Sequence, residues 1–253
     1  MSFIMKIHKI KGYIQVIYLV EYDHGLLLLD GCSRPDADVI NTYITHTLER
    51  PLTDLKLVMV SHMHPDHAGA AHLLRKQTGC SIGSANVHHS WYGGFQGWLM
   101  FVTDILLTKW VAGKKGSPSK NIWYAPTLRP DYKLNEGDLL PGFADWRVIE
   151  TPGHTDRDIS LLHEPSHKIY VADLIVKVRG KFVPPFPIFH PNKYKNSIDH
   201  LINLEPDSLL LAHGGEQKLT VEELQFLREN APQMPKTHWR AAKYHFWLML
   251  QRS

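Results

Sequence analysis

The sequence predicts a mixed α/β (α+β) domain, and three features of the chain point to it. Apolar, β-branched runs alternate with stretches whose apolar residues recur at helical spacing. The run Leu57-Val58-Met59-Val60 is continuously apolar, as in a strand covered on both faces. Strand, helix and strand in that order give right-handed crossovers with helices packed on a sheet. With 253 residues, 43% of them apolar and 21% charged, the chain can bury a full core, and one domain over 1–253 is expected.

In chain order, residues 14–20 are a β-branched strand, Asp23-His24-Gly25 a turn and 26–29 a second strand, together a hairpin at a sheet edge. Asp30-Gly31 closes it. Residues 35–50 carry Val39, Ile40, Tyr43, Ile44 and Leu48 at helical spacing, with Asp36 and Asp38 suiting the first turn and His46 off the stripe, solvated. After 57–60 comes Ser61-His62-Met63-His64-Pro65-Asp66-His67-Ala68-Gly69, three histidines and an aspartate within six positions. A lone histidine is most simply a loop residue. This spacing is a metal site, because residues two apart at a strand end share a face, so His62 and His64 meet one cation. Pro65 stops the strand. A helix then begins, on which Ala68, Ala70, Ala71, Leu73 and Leu74 face inward up to the stop at Gly79, and Asp66 and His67 are aimed elsewhere, at a second cation.

Residues 80–84 form another short strand. About 85–130 is an aromatic-rich inserted arm or lid, with helical spacing from Trp91 to Trp110 and a polar loop at 113–120; its aromatics suit core or subunit contact. Residues 132–140 and 146–150 resume the strands, and 159–163 and 168–171 flank a turn at Glu164-Pro165-Ser166-His167, where His163 and His167 are expected at the surface. The stretch 182–191 is too rich in proline for regular structure and could wall a site, with His190 a structural histidine or a substrate contact. Helices are expected over 197–204 and over 221–230, the latter opened by a capping box of Thr220 and Glu223, and a basic, aromatic helix over 237–252.

Further metal-ligand candidates each sit just past an apolar run: His154 in Thr151-Pro152-Gly153-His154-Thr155, Asp173 after Ile169-Tyr170-Val171-Ala172, and His213 after Leu209-Leu210-Leu211-Ala212. Loops leaving one sheet edge converge from such positions.

His-x-His-x-Asp-His, then Gly-His-Thr, then a strand-terminal Asp and a strand-terminal His, in that order over residues 30–214, resembles the metallo-β-lactamase superfamily. The resemblance implies a four-layer αββα sandwich. It implies a first metal on His62, His64 and His154, a second on Asp66, His67 and His213, Asp173 bridging both, and Asp30 orienting a ligand histidine. Zinc is favoured for the two divalent ions, with iron or manganese as alternatives. A hydroxide between the ions would attack an ester, lactone or thioester of a small molecule, with Asp66 as the catalytic carboxylate that orients it and passes a proton to the leaving group.

Glyoxalase II-like thioesterases match all seven positions. True β-lactamases of the superfamily carry cysteine where Asp173 stands, and its lactonases carry tyrosine where Val176 stands. Its diiron redox enzymes carry Glu where His64 stands. A phosphodiesterase or nuclease of the same fold is the runner-up, but a net charge of +3 offers no basic track, so no nucleic acid is expected.

Arg240 and Lys243 resemble an anion-binding pair of the glyoxalase type, or are two exposed helix charges. Cys32 and Cys80 read as free thiols in a reducing cytoplasm. No segment offers a cleavable signal or a membrane span. The aromatic insert and the C-terminal helix are the surfaces on offer for a homodimer.

Overall fold

The computed structural model describes residues 5–237. Two six-stranded sheets lie face to face. The first has the order β1 (Lys6–Lys11), β2 (Val16–Tyr22), β3 (Gly25–Leu28), β4 (Leu55–Val60), β5 (Ser81–Ala85) and β6 (Tyr132–Leu134), antiparallel up to β3 and parallel beyond. The second contains β7 (Leu139–Leu140), β8 (Phe143–Glu150), β9 (Ile159–His163), β10 (Lys168–Ala172), β13 (Ser208–Leu211) and β14 (Gly215–Gln217). Its order is β14-β13-β10-β9-β8-β7, parallel only between β10 and β13. A separate two-stranded ribbon joins β11 (Val176–Val178) to β12 (Lys181–Val183).

The helices cover the outer faces. α1 (Asp36–Thr42), a π-helical turn over Tyr43–Thr47, α2 (Pro65–Ala68), α3 (Ala71–Thr78) and α4 (Gly94–Lys114) belong to the first sheet, α5 (Pro191–Leu204) and α6 (Val221–Glu229) to the second. Alternation along the strands produces this layering. Leu19, Leu26, Leu28 and Val58 face the first group of helices, whereas Tyr18, Val20, Leu27 and Met59 face the opposite sheet. There they meet Trp146, Val148, Leu161 and Tyr170, and Ile169, Leu209 and Leu211 pack outward under α5 and α6. Three apolar layers between four structural ones are the αββα sandwich.

Several expectations change. The hairpin of β2 and β3 lies inside the sheet, because β1 pairs along β2 and takes the edge. The helix after the histidine cluster is broken into α2 and α3 at Gly69 and Ala70, so ligand-bearing turn and packing helix are separate pieces. The insert contributes one helix of 21 residues that reaches Lys114, and Phe101, Ile105 and Ala112 are buried in the first helical layer, so it is fixed to the body. α5 starts at Pro191 rather than 197, since proline at the first helical position costs no hydrogen bond. Phe182 and Val183 are likewise in a strand, β12. His163 is buried, not at the surface; it is bonded to Asp145 Oδ2 at 3.0 Å and to Ser166 Oγ at 2.6 Å, and His167 is half-buried.

The capping box of Thr220 and Glu223 is present at α6. Cys32 and Cys80 are buried and free. Among the described residues no helix is long and apolar enough to cross a membrane. The expected helix at 237–252, with Arg240, Lys243 and its homodimer surface, lies outside the described residues but for Thr237.

Candidate metal centre

All seven residues singled out in the sequence meet at one edge of the sandwich, where β4, β8, β10 and β13 end. They form two groups, His62, His64, His154 and Asp173, and Asp66, His67 and His213, whose ligand atoms within each group lie within 4.8 Å of one another. His62 and His64 sit in the bends beyond β4 and not on the strand itself.

In the first group three ring nitrogens converge: His64 Nδ1 is 3.0 Å from His62 Nε2 and 2.8 Å from His154 Nε2. The outer nitrogens settle the proton positions. His154 Nδ1 donates to the carbonyl of Pro187 at 2.6 Å, and His62 Nδ1 faces Ser61 Oγ at 3.0 Å. Both Nε2 atoms therefore present lone pairs to His64 Nδ1, which could donate to one of them at most. Convergent lone pairs in a buried site are what a cation requires. Burial pushes the titration of His62 well down and that of His64 to about 4, which keeps both neutral, the state a ligand needs.

In the second group His213 Nε2 is 3.1 Å from Asp66 Oδ2, and His67 Nε2 is 3.5 Å from the same oxygen. Asp173 faces both groups: Oδ1 lies 3.3 Å from His67 Nε2 and 3.4 Å from His213 Nε2, and Oδ2 lies 3.6 Å from His154 Nε2. His67 Nε2 and Asp173 Oδ1 are buried and face each other at 3.3 Å without well-formed hydrogen-bond geometry to any of the described residues, both turned toward a common space. Burial alone would raise Asp66, but the facing imidazoles of His67 and His213 draw it down to about 2, and the same kind of attraction takes Asp173 well below the carboxylate range. Burial would lower His67, yet Asp173, Asp66 and Asp30 hold it well up. The donor set, nitrogen and carboxylate oxygen in a largely buried site, fits divalent cations.

Asp30 supports the cluster from beneath. Its Oδ2 accepts from His67 Nδ1 at 2.6 Å, Ser61 Oγ at 2.7 Å and Tyr170 Oη at 2.8 Å, and its Oδ1 accepts from the amides of Ser61 and Gly31 at 3.0 Å. Gly31 is required by close approach, since a Cβ there would lie 2.6 Å from the carbonyl of His67. Cys32 and Ala172, next to Gly31 and Asp173, hold left-handed φ values of 40° and 45°, a cost of about 1–3 kcal/mol each that the surrounding core must override.

Sequence reasoning missed three supports. Asp158 Oδ2 accepts from the amides of Gly153 (3.1 Å) and Thr155 (2.6 Å), shaping the turn that carries His154; an acid four residues past the histidine was the available signal. Gly153, at φ +154°, lets that turn rest against Tyr194 of α5, where a Cβ would come within 2.5 Å of Tyr194 Cα. Asp104, the one acid in the inner stripe of α4, brings Oδ2 to 3.7 Å from His64 Nε2 and accepts from Tyr92 Oη at 2.9 Å. Tyr92 and Tyr124, both from the insert, also bond the carbonyl of Met63 between the two histidines.

A cavity of about 420 Å³ opens on the cluster. His64, Asp66, Asp173 and His213 form its floor, and Leu107, Val111, Val176 and the Pro184-Pro185-Phe186-Pro187 segment form an apolar wall. His190 is half-buried and caps α5, its amide bonded to the carbonyl of Gly153 at 2.9 Å.

Fold and site together define a class, the αββα sandwich with a histidine and aspartate metal cluster at one sheet edge. The chain belongs to the metallo-beta-lactamase superfamily, whose family model matches residues 10–213. It is 24% identical over 216 residues to a Bacillus subtilis (strain 168) protein named "Probable metallo-hydrolase YqjP", the match covering 79% of this chain and 66% of that protein's length. The match thus spans just under two thirds of that protein's length.

Among solved structures, an archaeal metallo-beta-lactamase superfamily protein from Sulfolobus tokodaii superposes with a TM-score of 0.63 at 17% identity, over 88% of this chain and 84% of that one. A metallo-beta-lactamase family protein from Thermus thermophilus gives 0.63 at 17% identity, over 89% and 78%. A third, solved in a di-iron-bound form, gives 0.57 at 20% identity, over 84% and 94%.

Proposed function

We propose that this chain is a dinuclear metal hydrolase that cleaves an ester, lactone or thioester bond of a small molecule. The observation that carries the reading is the pair of facing ligand groups with Asp173 between them, one carboxylate oxygen toward each. His62, His64 and His154 would hold one divalent ion, Asp66, His67 and His213 the other, and Asp173 would bridge. Such ions supply a water acidified to near neutral pH and polarise the scissile carbonyl.

The chain's own residues do the rest. The apolar wall at Val176 and Pro184 excludes water from the acyl side. Asp66, whose carboxylate lines the cavity, accepts the proton of the attacking water and returns it to the leaving oxygen or sulfur as the acyl bond breaks. Val176 sets a methyl where a lactonase of the superfamily would have a phenol, which favours the open-chain ester or thioester. Zinc suits the imidazole-rich donors; the relative in a di-iron-bound form makes iron the second metal to test. Two buried free thiols support a cytoplasmic setting.

Metal analysis of the purified protein, then a panel of thioesters, esters, lactones and phosphodiesters with each metal restored, tests the reading. Turnover of the acyl panel that falls about 10²-fold or more in Asp66→Ala with metals retained is expected. An unchanged rate in that variant, or turnover of phosphodiesters alone, overturns it.

A further inference from the structure

A second cavity, about 580 Å³, adjoins the one over the metal cluster, and Ile14, Lys115, Lys177 and His213 line both. The rest of its charged wall is Lys11, Lys120 and Asp36. Asp36 is only 1% exposed, and its carboxylate is turned onto the amides of Tyr13 (2.7 Å) and Ser33 (3.1 Å). Four ammonium groups thus border a space whose one carboxylate is sequestered, in a chain whose net charge is only +3.

Lys177 is built into its place. Its amide donates to the carbonyl of His213 at 2.8 Å, and its Cβ packs against Gly214 so closely that an added Cβ there would come within 2.9 Å. Its ammonium donates to Gln217 Oε1 at 2.8 Å and lies 5.1 Å from the ring centre of Phe182. Lys115 follows the end of α4 and donates to the carbonyl of Ile14. Partial burial draws its ammonium below the usual lysine range, and its side chain lines the same cavity as Asp66 and Asp173. All these hydrogen-bond partners are neutral, and among the described residues neither lysine forms an ion pair. Lys177 is half-buried and Lys115 more exposed, and an ammonium group given only neutral acceptors gains from an anion that reaches it.

We infer that Lys115 and Lys177 form an anion-binding subsite beside the metal cluster, and that the substrate is an acyl compound whose other end carries a carboxylate or phosphate. The inference rests on the hydrolase reading and names its substrate class. The acyl group lies against the apolar wall of the first cavity, and the charged end reaches past His213 toward the second. The two cavities share His213, so one small molecule can occupy both.

The test uses the full, metal-restored chain and three thioesters: S-acetyl-3-mercaptopropionate, its methyl ester, and S-acetyl-2-mercaptoethyl phosphate. The expected result is a kcat/KM at least tenfold higher for a charged thioester than for the methyl ester, with the preferred anion, carboxylate or phosphate, read from the first and third. Raising salt should shrink that ratio. It should fall about tenfold in Lys115→Gln/Lys177→Gln, survive in Lys115→Arg/Lys177→Arg, and stay unchanged in Lys76→Gln, an exposed lysine on α3.

Calorimetric titration of the same proteins with glutarate and with inorganic phosphate gives a readout free of turnover. A tenfold weaker affinity in the Gln pair upholds the subsite, and equal affinity overturns it, even if no thioester is cleaved and the hydrolase reading itself fails. A charge ratio near one in the parent, or one that the Gln pair leaves unchanged, also overturns it.

Discussion

Replacing Asp30 by Asn separates support of the cluster from membership of it. Asp30 touches no open space, being 5% exposed, yet it accepts five hydrogen bonds. Its Oδ1 faces two backbone amides, which cannot turn, so in Asp30→Asn the side-chain amide oxygen must stay there and the NH₂ must face His67 Nδ1, Ser61 Oγ and Tyr170 Oη. The two hydroxyls can rotate to accept. The imidazole cannot, and must move its proton to Nε2, the nitrogen aimed at the metal. One buried donor clash of this kind costs about 1–3 kcal/mol of folding stability, and loss of the orienting carboxylate weakens metal binding by roughly 10–100-fold. Competition against a chromophoric chelator measures the second effect, and urea unfolding of the metal-free protein measures the first. Metal affinity within about threefold of the parent, with unfolding unchanged, would refute the role given to Asp30.

Three further outcomes are expected. Trp146 is fully buried between the sheets, with Nε1 donating to Tyr22 Oη at 2.9 Å, so Trp146→Ala should cost about 3–5 kcal/mol in urea unfolding; a loss under about 1 kcal/mol would show that the inter-sheet layer had repacked. Burial raises Asp36 from 3.8 to about 6, so the folded state holds its proton more tightly than the unfolded chain. Its contribution therefore favours folding at low pH and is lost as pH rises from about 4 through 6, by roughly 3 kcal/mol at most; stability of Asp36→Asn against pH should lack that downward slope, and an identical slope in both proteins would refute the assignment. Chelation should abolish turnover and lower the unfolding temperature, because an ion at a hundred times its Kd adds about 2.7 kcal/mol; an unfolding temperature indifferent to chelator would argue against a metal held by seven protein side chains.

Much of the site was legible in the chain because metal chemistry restricts both residue type and position. His62, His64, Asp66 and His67 advertise themselves by spacing alone, and His154, Asp173 and His213 by their place after apolar runs. The supports were harder to see. Asp104 and Asp158 are single acids whose role depends on which turn or histidine they come to face, 40 residues away in one case, from Asp104 to His64, and four in the other, from Asp158 to His154. His163 looked like a turn residue and proved buried, since Asp145 on the neighbouring strand supplies a partner that no local pattern reveals.

The order of polar and apolar residues was enough to indicate a mixed α/β chain, to set the ligand candidates just past apolar runs and to separate the His62/His64 pair from Asp66/His67, because periodicity and ligand chemistry act over a few residues. The four-layer sandwich and the assignment of His154 and His213 came from the family resemblance. Only the tertiary structure decided which nitrogen of each histidine faces inward, what holds the other one, where β1 closes the sheet, and that two lysines distant in the chain border one cavity beside the cluster. Those outcomes depend on contacts between segments far apart along the backbone, and such contacts exist only once the layers have packed.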